Sequence, residues 1–176
     1  TLTCTDYRLL HDHYDVYDEV ILHGVWFHTE IGLFDIYINK YKEIKQNSKG
    51  AMRTLAKLFL NNLYGKMASS DVSSYQRPYI ENGVLKFELV EEHKKKAGYI
   101  AVGSAITSYA RNFTIRSAQM NYYGEHKRGF IYADTDSIHC DLSPDEIKGI
   151  KVHPTNFCCW KLESSWDKGI FVRQKT

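Results

Sequence analysis

The sequence predicts a mixed α+β fold whose helices and strands do not alternate strictly. Apolar residues recur at helical spacing in three stretches, and strand-type stretches lie between and after these helices. Of the 176 residues, 43% are apolar, which is ample for a core. The length is that of about one domain. No apolar run of about 18 residues is present, so the sequence predicts no membrane span.

Periodicity and turn signals place the elements along the chain. Asn82-Gly83 is the strongest turn signal, because a type I′ hairpin needs positive φ at both central residues. The first half of the chain is predicted to form two strands around Gly24 (16–30), an amphipathic helix (32–45), a second helix that Asn47 or Ser48 caps and Gly65 ends (49–65), and a β-hairpin (73–92). A third helix follows (98–120), with Ile106, Tyr109, Ala110, Phe113 and Ser117 on one face. The last predicted elements are two strands around a turn (129–140), a short helix opened by Ser143 and Pro144 (143–150), and two strand-like runs around Asp167-Lys168-Gly169 (160–176).

Positive charge is concentrated in one segment of a chain whose net charge is only +2. From Lys40 to Lys66 there are seven lysine or arginine residues, and Glu43 is the single acidic residue. This imbalance favours a polyanionic partner, although the solvated face of a helix produces the same pattern.

The cysteines and the chain ends bear on compartment and completeness. Cys4, Cys140, Cys158 and Cys159 contain no CxxC pair, and a zinc cluster with His153 would lack a second half. We therefore expect reduced thiols in a cytoplasmic protein. No signal peptide is visible, there is no initiator methionine, and the last residues look like the interior of a strand. We expect a fragment of a longer protein.

Two aspartates interrupt an apolar run in "GFIYADTDSIHC" (129–140). Aspartate suits turns and both flanks suit strands, so Asp134 and Asp136 should lie together at the tip of a hairpin. Two neighbouring carboxylates repel each other unless a cation lies beside them, and a hard divalent cation such as Mg²⁺ prefers oxygen ligands. An ordinary aspartate-rich turn remains the alternative for this motif alone.

The second predicted helix adds a possible phosphate partner. Lys57, Asn61 and Tyr64 fall on one face at positions i, i+4 and i+7, and Arg53 extends this face by one turn. Two cations, an amide and a phenol ring suit a nucleoside triphosphate, with charge for the phosphates and stacking for the base. An amphipathic helix with a hydrated face is the alternative.

These two segments resemble the motifs of a known enzyme family. "YADTDS" (132–137) matches the YxDTDS motif of family B DNA polymerases, and "KLFLNNLYG" (57–65) resembles their Kx₃NSxYG motif in the expected order. The likeness is greatest to the protein-primed phage branch, which carries a hairpin insertion between the motifs, as at 68–99 here. "IFVRQKT" (170–176) resembles the start of that branch's KxY motif. The resemblance covers essentially the whole chain.

The resemblance implies a domain organisation and a set of partners. It implies a palm-type antiparallel sheet packed on helices, an inserted β-hairpin subdomain and the start of a thumb. The implied partners are primer–template DNA, deoxynucleoside triphosphates and a terminal priming protein, in the cytoplasm of a bacterial host. The implied divisions are palm with finger-type helices (1–67), the inserted hairpin for processivity and strand displacement (68–99), palm with the catalytic hairpin (100–160), and the beginning of the thumb (161–176).

The resemblance also implies a role for each matching residue. Asp136 would be the principal metal-binding aspartate and Asp134 its partner, with two Mg²⁺ or Mn²⁺ ions in the complete enzyme. Lys57, Arg53 and Lys45 would bind the triphosphate, and Asn61 and Tyr64 would line the nucleotide site. The residues that would contact DNA or the primer terminus are Asn62, Gly65, Lys66, Thr135, Ser137 and Lys175.

Two departures from the family pattern affect the predicted function. Asn62 stands where the motif has serine. The family's upstream DxxSLYPS motif, which supplies the other metal-binding aspartate, is absent from these 176 residues, as is the exonuclease domain. We therefore expect the isolated chain to be inactive. A metal-dependent glycosyltransferase with a DxD motif and a DNA-binding module without chemistry are the two alternative functions.

Overall fold

The computed structural model describes residues 1–70, 72–93 and 98–171. Within these ranges the fold mixes helices with antiparallel sheets, which confirms the predicted class. The elements are α1 (Cys4–His11), α2 (Asp35–Asn47), α3 (Gly50–Met67), β1 (Val72–Glu81), β2 (Val84–His93), α4 (Ile100–Met120), β3 (Phe130–Asp134) and β4 (Ser137–Cys140). No helix in this described part is both long and apolar enough to cross a membrane.

Helices α2 and α3 form an antiparallel pair. The Tyr37 hydroxyl, near the start of α2, donates to the Phe59 carbonyl at 2.9 Å, and the Tyr41 ring stacks on the Phe59 ring. At the other end, the Arg53 guanidinium donates to the Lys45 carbonyl at 3.2 Å. These contacts fix which side of α2 faces α3, and they bring Lys45 of α2 beside Arg53 of α3 at one end of the pair.

The predicted limits of α3 are partly wrong. The residue that precedes the helix is Lys49, and no side chain caps it, so neither Asn47 nor Ser48 has that role. The helix also continues past Gly65 to Met67. A glycine inside a helix lowers the stability of the helix by only about 1 kcal/mol relative to alanine. The helix therefore continues through Gly65 to the end of the segment that packs on α4.

The predicted hairpin is confirmed. Strands β1 and β2 pair antiparallel over ten residues each, with Glu81 opposite Val84. Asn82 and Gly83 between them have φ of 54° and 75°, the two positive values that a type I′ turn requires. Both strands are largely exposed and form a two-stranded sheet of their own.

Helix α4 is the central element, because α1, α3 and both strands of the β3–β4 hairpin pack on it. Most of its predicted apolar face is exposed, including Ile106, Tyr109 and Phe113. The buried positions instead carry small residues, which allow neighbouring elements to approach closely. They are Gly103, Ser108, Thr114, Ser117 and Ala118.

A carboxylate joins α1 to α4. Asp6 accepts hydrogen bonds from Ser108 at 2.6 Å and from two guanidinium nitrogens of Arg111, each at 3.0 Å. These bonds hold the pKa of Asp6 below its usual range, with the Arg111 hydrogen bond as the largest cause. The charge-assisted pair therefore fixes the first helix on the central one.

Gly103 marks the closest approach of α4 to the end of α3. A Cβ atom added there would lie 2.8 Å from the Ala68 Cβ and 2.9 Å from the Ala68 Cα, so the backbone would have to shift. Gly103→Ala should therefore lower the free energy of unfolding by about 1–3 kcal/mol, measured by urea unfolding. Gly65→Ala is the matched control, because a Cβ atom there meets nothing within 4 Å. Equal destabilisation by both variants would contradict this account.

Two predicted elements, and the described part of a third, are absent among the residues that the structure describes. Residues 16–30 form no strands, because no strand in the described ranges lies beside them to accept their backbone hydrogen bonds. Residues 143–150 form turns rather than a helix. Glu146 accepts from the Ser143 N–H at 2.9 Å, as at the start of a helix, but the Lys148 N–H and carbonyl bond the side chain of Asn121 at 2.9 Å and 3.0 Å. Over 160–171 there is one isolated bridge, from Trp160 to Val152, and no strand. Residues 172–176 lie outside the described ranges.

Candidate active site

The two aspartates lie at the tip of the β3–β4 hairpin, as predicted. Asp134 ends β3 and pairs with Ser137, the first residue of β4. Thr135, between them, adopts φ of 49°, and the Ser137 hydroxyl donates to the Asp134 carbonyl at 3.0 Å. The tight turn keeps both carboxylates at the same end of the two-stranded sheet.

Helix α4 supports this turn from behind. The buried Thr114 hydroxyl lies 3.1 Å from the Ala110 carbonyl and 3.3 Å from the Thr135 carbonyl. The turn backbone is therefore attached to the central helix and does not depend on the hairpin alone. Sequence reasoning missed Thr114, because a threonine within a helical stretch carries no signal of a contact 21 residues away.

The two carboxylates have different surroundings. Asp136 is exposed, whereas Asp134 is partly buried and accepts a hydrogen bond from the Thr135 hydroxyl at 2.9 Å. Carboxylate oxygens fit a hard divalent cation. The described residues contain no cluster of three or more histidine, cysteine, aspartate or glutamate side chains suited to a metal, so here they supply a carboxylate pair.

An aromatic cluster covers part of the same hairpin. The Tyr132 ring lies 5.6 Å from the His139 ring across the two strands. Phe171 packs against both, at 5.3 Å and 5.4 Å, and Trp166 contacts His139 at 5.9 Å. The aromatic side chains of the last described segment thus pack against the hairpin, while its backbone is irregular.

Lys45, Arg53 and Lys57 form a cation cluster at one end of the α2–α3 pair. Burial lowers the pKa of Lys45, and the positive charges of Arg53 and Lys57 lower it further. Among the described residues, no ion pair involves any of the three. Like charges brought together without a counterion favour binding of an anion.

The other predicted residues of α3 continue from this cluster towards its C-terminal end. Asn61 and Tyr64 are exposed, as are Asn62, Gly65 and Lys66. Nothing among the described residues requires a glycine at position 65, which lies in a regular helix with free space around it. Its backbone is therefore open to close approach by another molecule.

The structure brings the predicted residues together as two groups. The cation cluster belongs to α2 and α3, and the aspartate turn belongs to the β3–β4 hairpin. Helix α3 and the hairpin each pack on α4 and not on each other. Lys175 lies outside the described residues. The site is thus two chemical groups, one cationic on the α2–α3 pair and one anionic on the β3–β4 hairpin, and α3 and the hairpin each pack on α4.

Comparison with known proteins defines the family. The family model for type B DNA polymerases, organellar and viral, matches residues 2–151. The chain belongs to this family. The match includes α1 to α4, both hairpins and the aspartate turn.

The chain is similar to relatives from phage. The DNA polymerase of Bacillus phage phi29 is 42% identical over 178 aligned residues, which cover 99% of this chain and 30% of that protein. The structure of phi29 DNA polymerase complexed with primer–template DNA has a TM-score of 0.74 and 40% identity, over 90% of this chain and 28% of that one. A ternary complex of the same enzyme with primer–template DNA and incoming nucleotides has a TM-score of 0.69 and 42% identity, over 86% of this chain and 26% of that one. The chain therefore spans about 30% of the length of these relatives.

Proposed function

We propose that the chain is part of a DNA-directed DNA polymerase that adds deoxynucleotides to a primer 3′-hydroxyl. The observation that carries the proposal is that a chain of the type B family holds both a carboxylate turn and a cation cluster with no ion-pair partner among the described residues. The hairpin that carries the turn and the helix α3 of the cluster each pack on α4. The relatives' structures with primer–template DNA and incoming nucleotides support these as its partners.

The carboxylate pair would hold the divalent metal. Asp136 is exposed to an incoming substrate and is the principal ligand in this proposal, with Asp134 as its partner. Two Mg²⁺ or Mn²⁺ ions held there would supply the Lewis-acid chemistry that activates the attacking hydroxyl and stabilises the leaving pyrophosphate. The contribution of this chain is to fix the two carboxylates on a turn that Thr114 attaches to α4.

The cation cluster would bind the triphosphate. Lys57, Arg53 and Lys45 carry positive charge that stabilises the negative charge developing on the phosphates during transfer. Asn61 and Tyr64 lie one and two turns further along the exposed face of α3, where sugar and base would contact them. Binding of the triphosphate relieves the mutual repulsion of the three cations.

DNA would contact the C-terminal end of α3 and the aspartate turn. The proposed contacts are Asn62, Gly65, Lys66, Thr135, Ser137 and Lys175. The β1–β2 hairpin, with the residues around it (68–99), would be the inserted subdomain that closes around DNA and supports strand displacement. The remaining proposed divisions are a palm segment with finger-type helices (1–67), palm with the catalytic hairpin (100–160) and the start of a thumb (161–176).

We also propose that the complete protein is larger than this chain, uses a terminal priming protein, and acts in the cytoplasm of a bacterial host. Large apolar side chains without cover support the first point, since such surfaces are typical of interfaces. Trp26 is 93% exposed and Ile31 is 99% exposed. The further metal-binding aspartate, that of the family's DxxSLYPS motif, would then come from the rest of the polymerase.

Primer extension tests the proposal. The complete polymerase should extend a primed template with Mg²⁺ and not with a chelator, whereas residues 1–176 alone should not extend it. The complete polymerase would be a DNA-binding module instead if it bound DNA equally well with Mg²⁺ and with chelator and did not extend the primer. Extension by residues 1–176 alone would contradict the proposed inactivity of the isolated chain.

A further inference from the structure

The segment that follows the aspartate hairpin forms a closed loop, residues 153–160. Its base is held by two backbone bonds, from the His153 N–H to the Trp160 carbonyl at 2.8 Å and from the Trp160 N–H to the Lys151 carbonyl at 2.9 Å. Inside the loop, the His153 Nδ1 accepts from the N–H groups of Thr155 and Asn156 at 3.2 Å and 3.0 Å. The loop is therefore a defined structure, although the sequence gives no sign of it.

Two aromatic residues of the loop contact two different helices. Trp160 stacks on Phe113 of α4, with ring centroids 5.6 Å apart and planes at 17°. Phe157 points to α2, where the Lys45 Nζ lies 4.8 Å and the Lys42 Nζ 5.4 Å from its ring centroid. The 153–160 loop thus connects the central helix to the end of α2 that carries part of the cation cluster.

The ring of Phe157 opposes the repulsion within the cluster. Burial and the charges of Arg53 and Lys57 all disfavour the ammonium of Lys45 at its position. An ammonium over an aromatic face is attracted by the negative charge of the ring face, and this attraction is stronger when the ammonium is desolvated. Without the ring, the flexible lysine side chain would move towards water and away from the other two cations.

We propose that Phe157 is a positioning residue for triphosphate binding, which holds the Lys45 ammonium beside Arg53 and Lys57 before the nucleotide arrives. The proposal rests on the proposed function of the cation cluster. Phe157 itself does not contact the substrate in this account; it acts through Lys45. Preorganisation of this kind reduces the entropy lost on binding, so its removal affects nucleotide affinity more than turnover.

Steady-state kinetics of the complete polymerase test this role. Phe157→Leu should raise the KM for deoxynucleotide by about 3- to 10-fold, with kcat changed by less than about twofold. Phe157→Tyr keeps the aromatic face and should restore the KM. In a Lys45→Met background, Phe157→Leu should have a much smaller effect, because Lys45 is absent and only Lys42 remains at the ring.

The matched control removes a similar contact elsewhere. The Lys148 Nζ lies 5.1 Å from the Tyr123 ring centroid, and neither residue belongs to α2 or α3, so Tyr123→Leu should leave the KM unchanged. Where Phe157→Leu lowers the melting temperature, Phe157→Met provides a second variant of similar volume without a π face.

The possible failures are distinguishable. If Lys57→Ala leaves the KM for deoxynucleotide unchanged, the proposed function of the cluster is wrong. If Lys57→Ala raises the KM while Phe157→Leu leaves it unchanged or lowers it, only the positioning role is wrong. An effect of Phe157→Leu that persists undiminished in the Lys45→Met background would also overturn the positioning role.

Discussion

Replacement of Asp136 by asparagine should reduce DNA synthesis by the complete polymerase by at least about 10²- to 10³-fold. Asparagine keeps the size of the side chain and removes the negative charge that a divalent cation requires. The turn itself should persist, because its supporting bonds come from Thr114 to the Thr135 carbonyl and from Ser137 to the Asp134 carbonyl. The measurement is the rate of single-nucleotide incorporation at saturating Mg²⁺.

A neighbouring carboxylate provides the control for this experiment. Asp145→Asn removes the same charge from an exposed turn a few residues beyond β4. The rate of single-nucleotide incorporation by the Asp145→Asn variant should stay within about twofold of the rate of the unsubstituted enzyme. A comparable loss in both variants would indicate a general effect of acidic charge near the hairpin, and wild-type rates for the Asp136 variant would exclude its role as principal metal ligand.

Lys57→Ala should raise the KM for deoxynucleotide by about 10- to 100-fold, because a hydrogen bond to a charged group contributes about 1.5–3 kcal/mol. Lys57 is exposed on α3 and lies beside Lys45 and Arg53 with no anionic partner among the described residues. The same substitution removes a charge that depresses the pKa of Lys45, so that pKa should rise towards its usual value. Nucleotide titration of incorporation rates measures the first effect, and NMR titration of the Lys45 ammonium measures the second.

Lys49→Ala is the matched control for the lysine experiment. It removes an equal charge from the residue that precedes α3. Because phosphate attraction depends on position as well as sign, we expect its KM to change by less than about twofold. Equal effects of both substitutions would show that the segment acts only through its overall charge, as a hydrated basic face would.

The local predictions that are confirmed are those in which the residues of a short stretch are enough to determine its conformation. Asn82 and Gly83 need no distant partner to adopt positive φ, and the hairpin formed around them. Helices α2 and α4 followed from apolar and small residues at helical spacing. The turn at Asp134–Asp136 followed from aspartates between two strand-forming runs.

The predictions that failed depended on partners that a local pattern does not contain. The apolar residues of 16–30 suit strands, but a strand forms only beside another strand, and none lies there in the described part of the chain. The apolar side chains of 160–171 found aromatic partners on the β3–β4 hairpin instead of a ladder. On α4, the contact face follows its small residues, because close approach of the neighbouring elements matters more there than hydrophobicity.

By itself, the sequence determined the chemistry that is available: two carboxylates at a turn, and a helix with Arg53, Lys57, Asn61 and Tyr64 on one face. Only the tertiary structure decided how these groups are held. It attached the turn to Thr114, brought Lys45 to Arg53 across an antiparallel helix pair, and placed Phe157 against the ammonium of Lys45. The physical reason is range: turn and helix preferences act within a few residues, whereas contacts between side chains far apart in the chain exist only after folding.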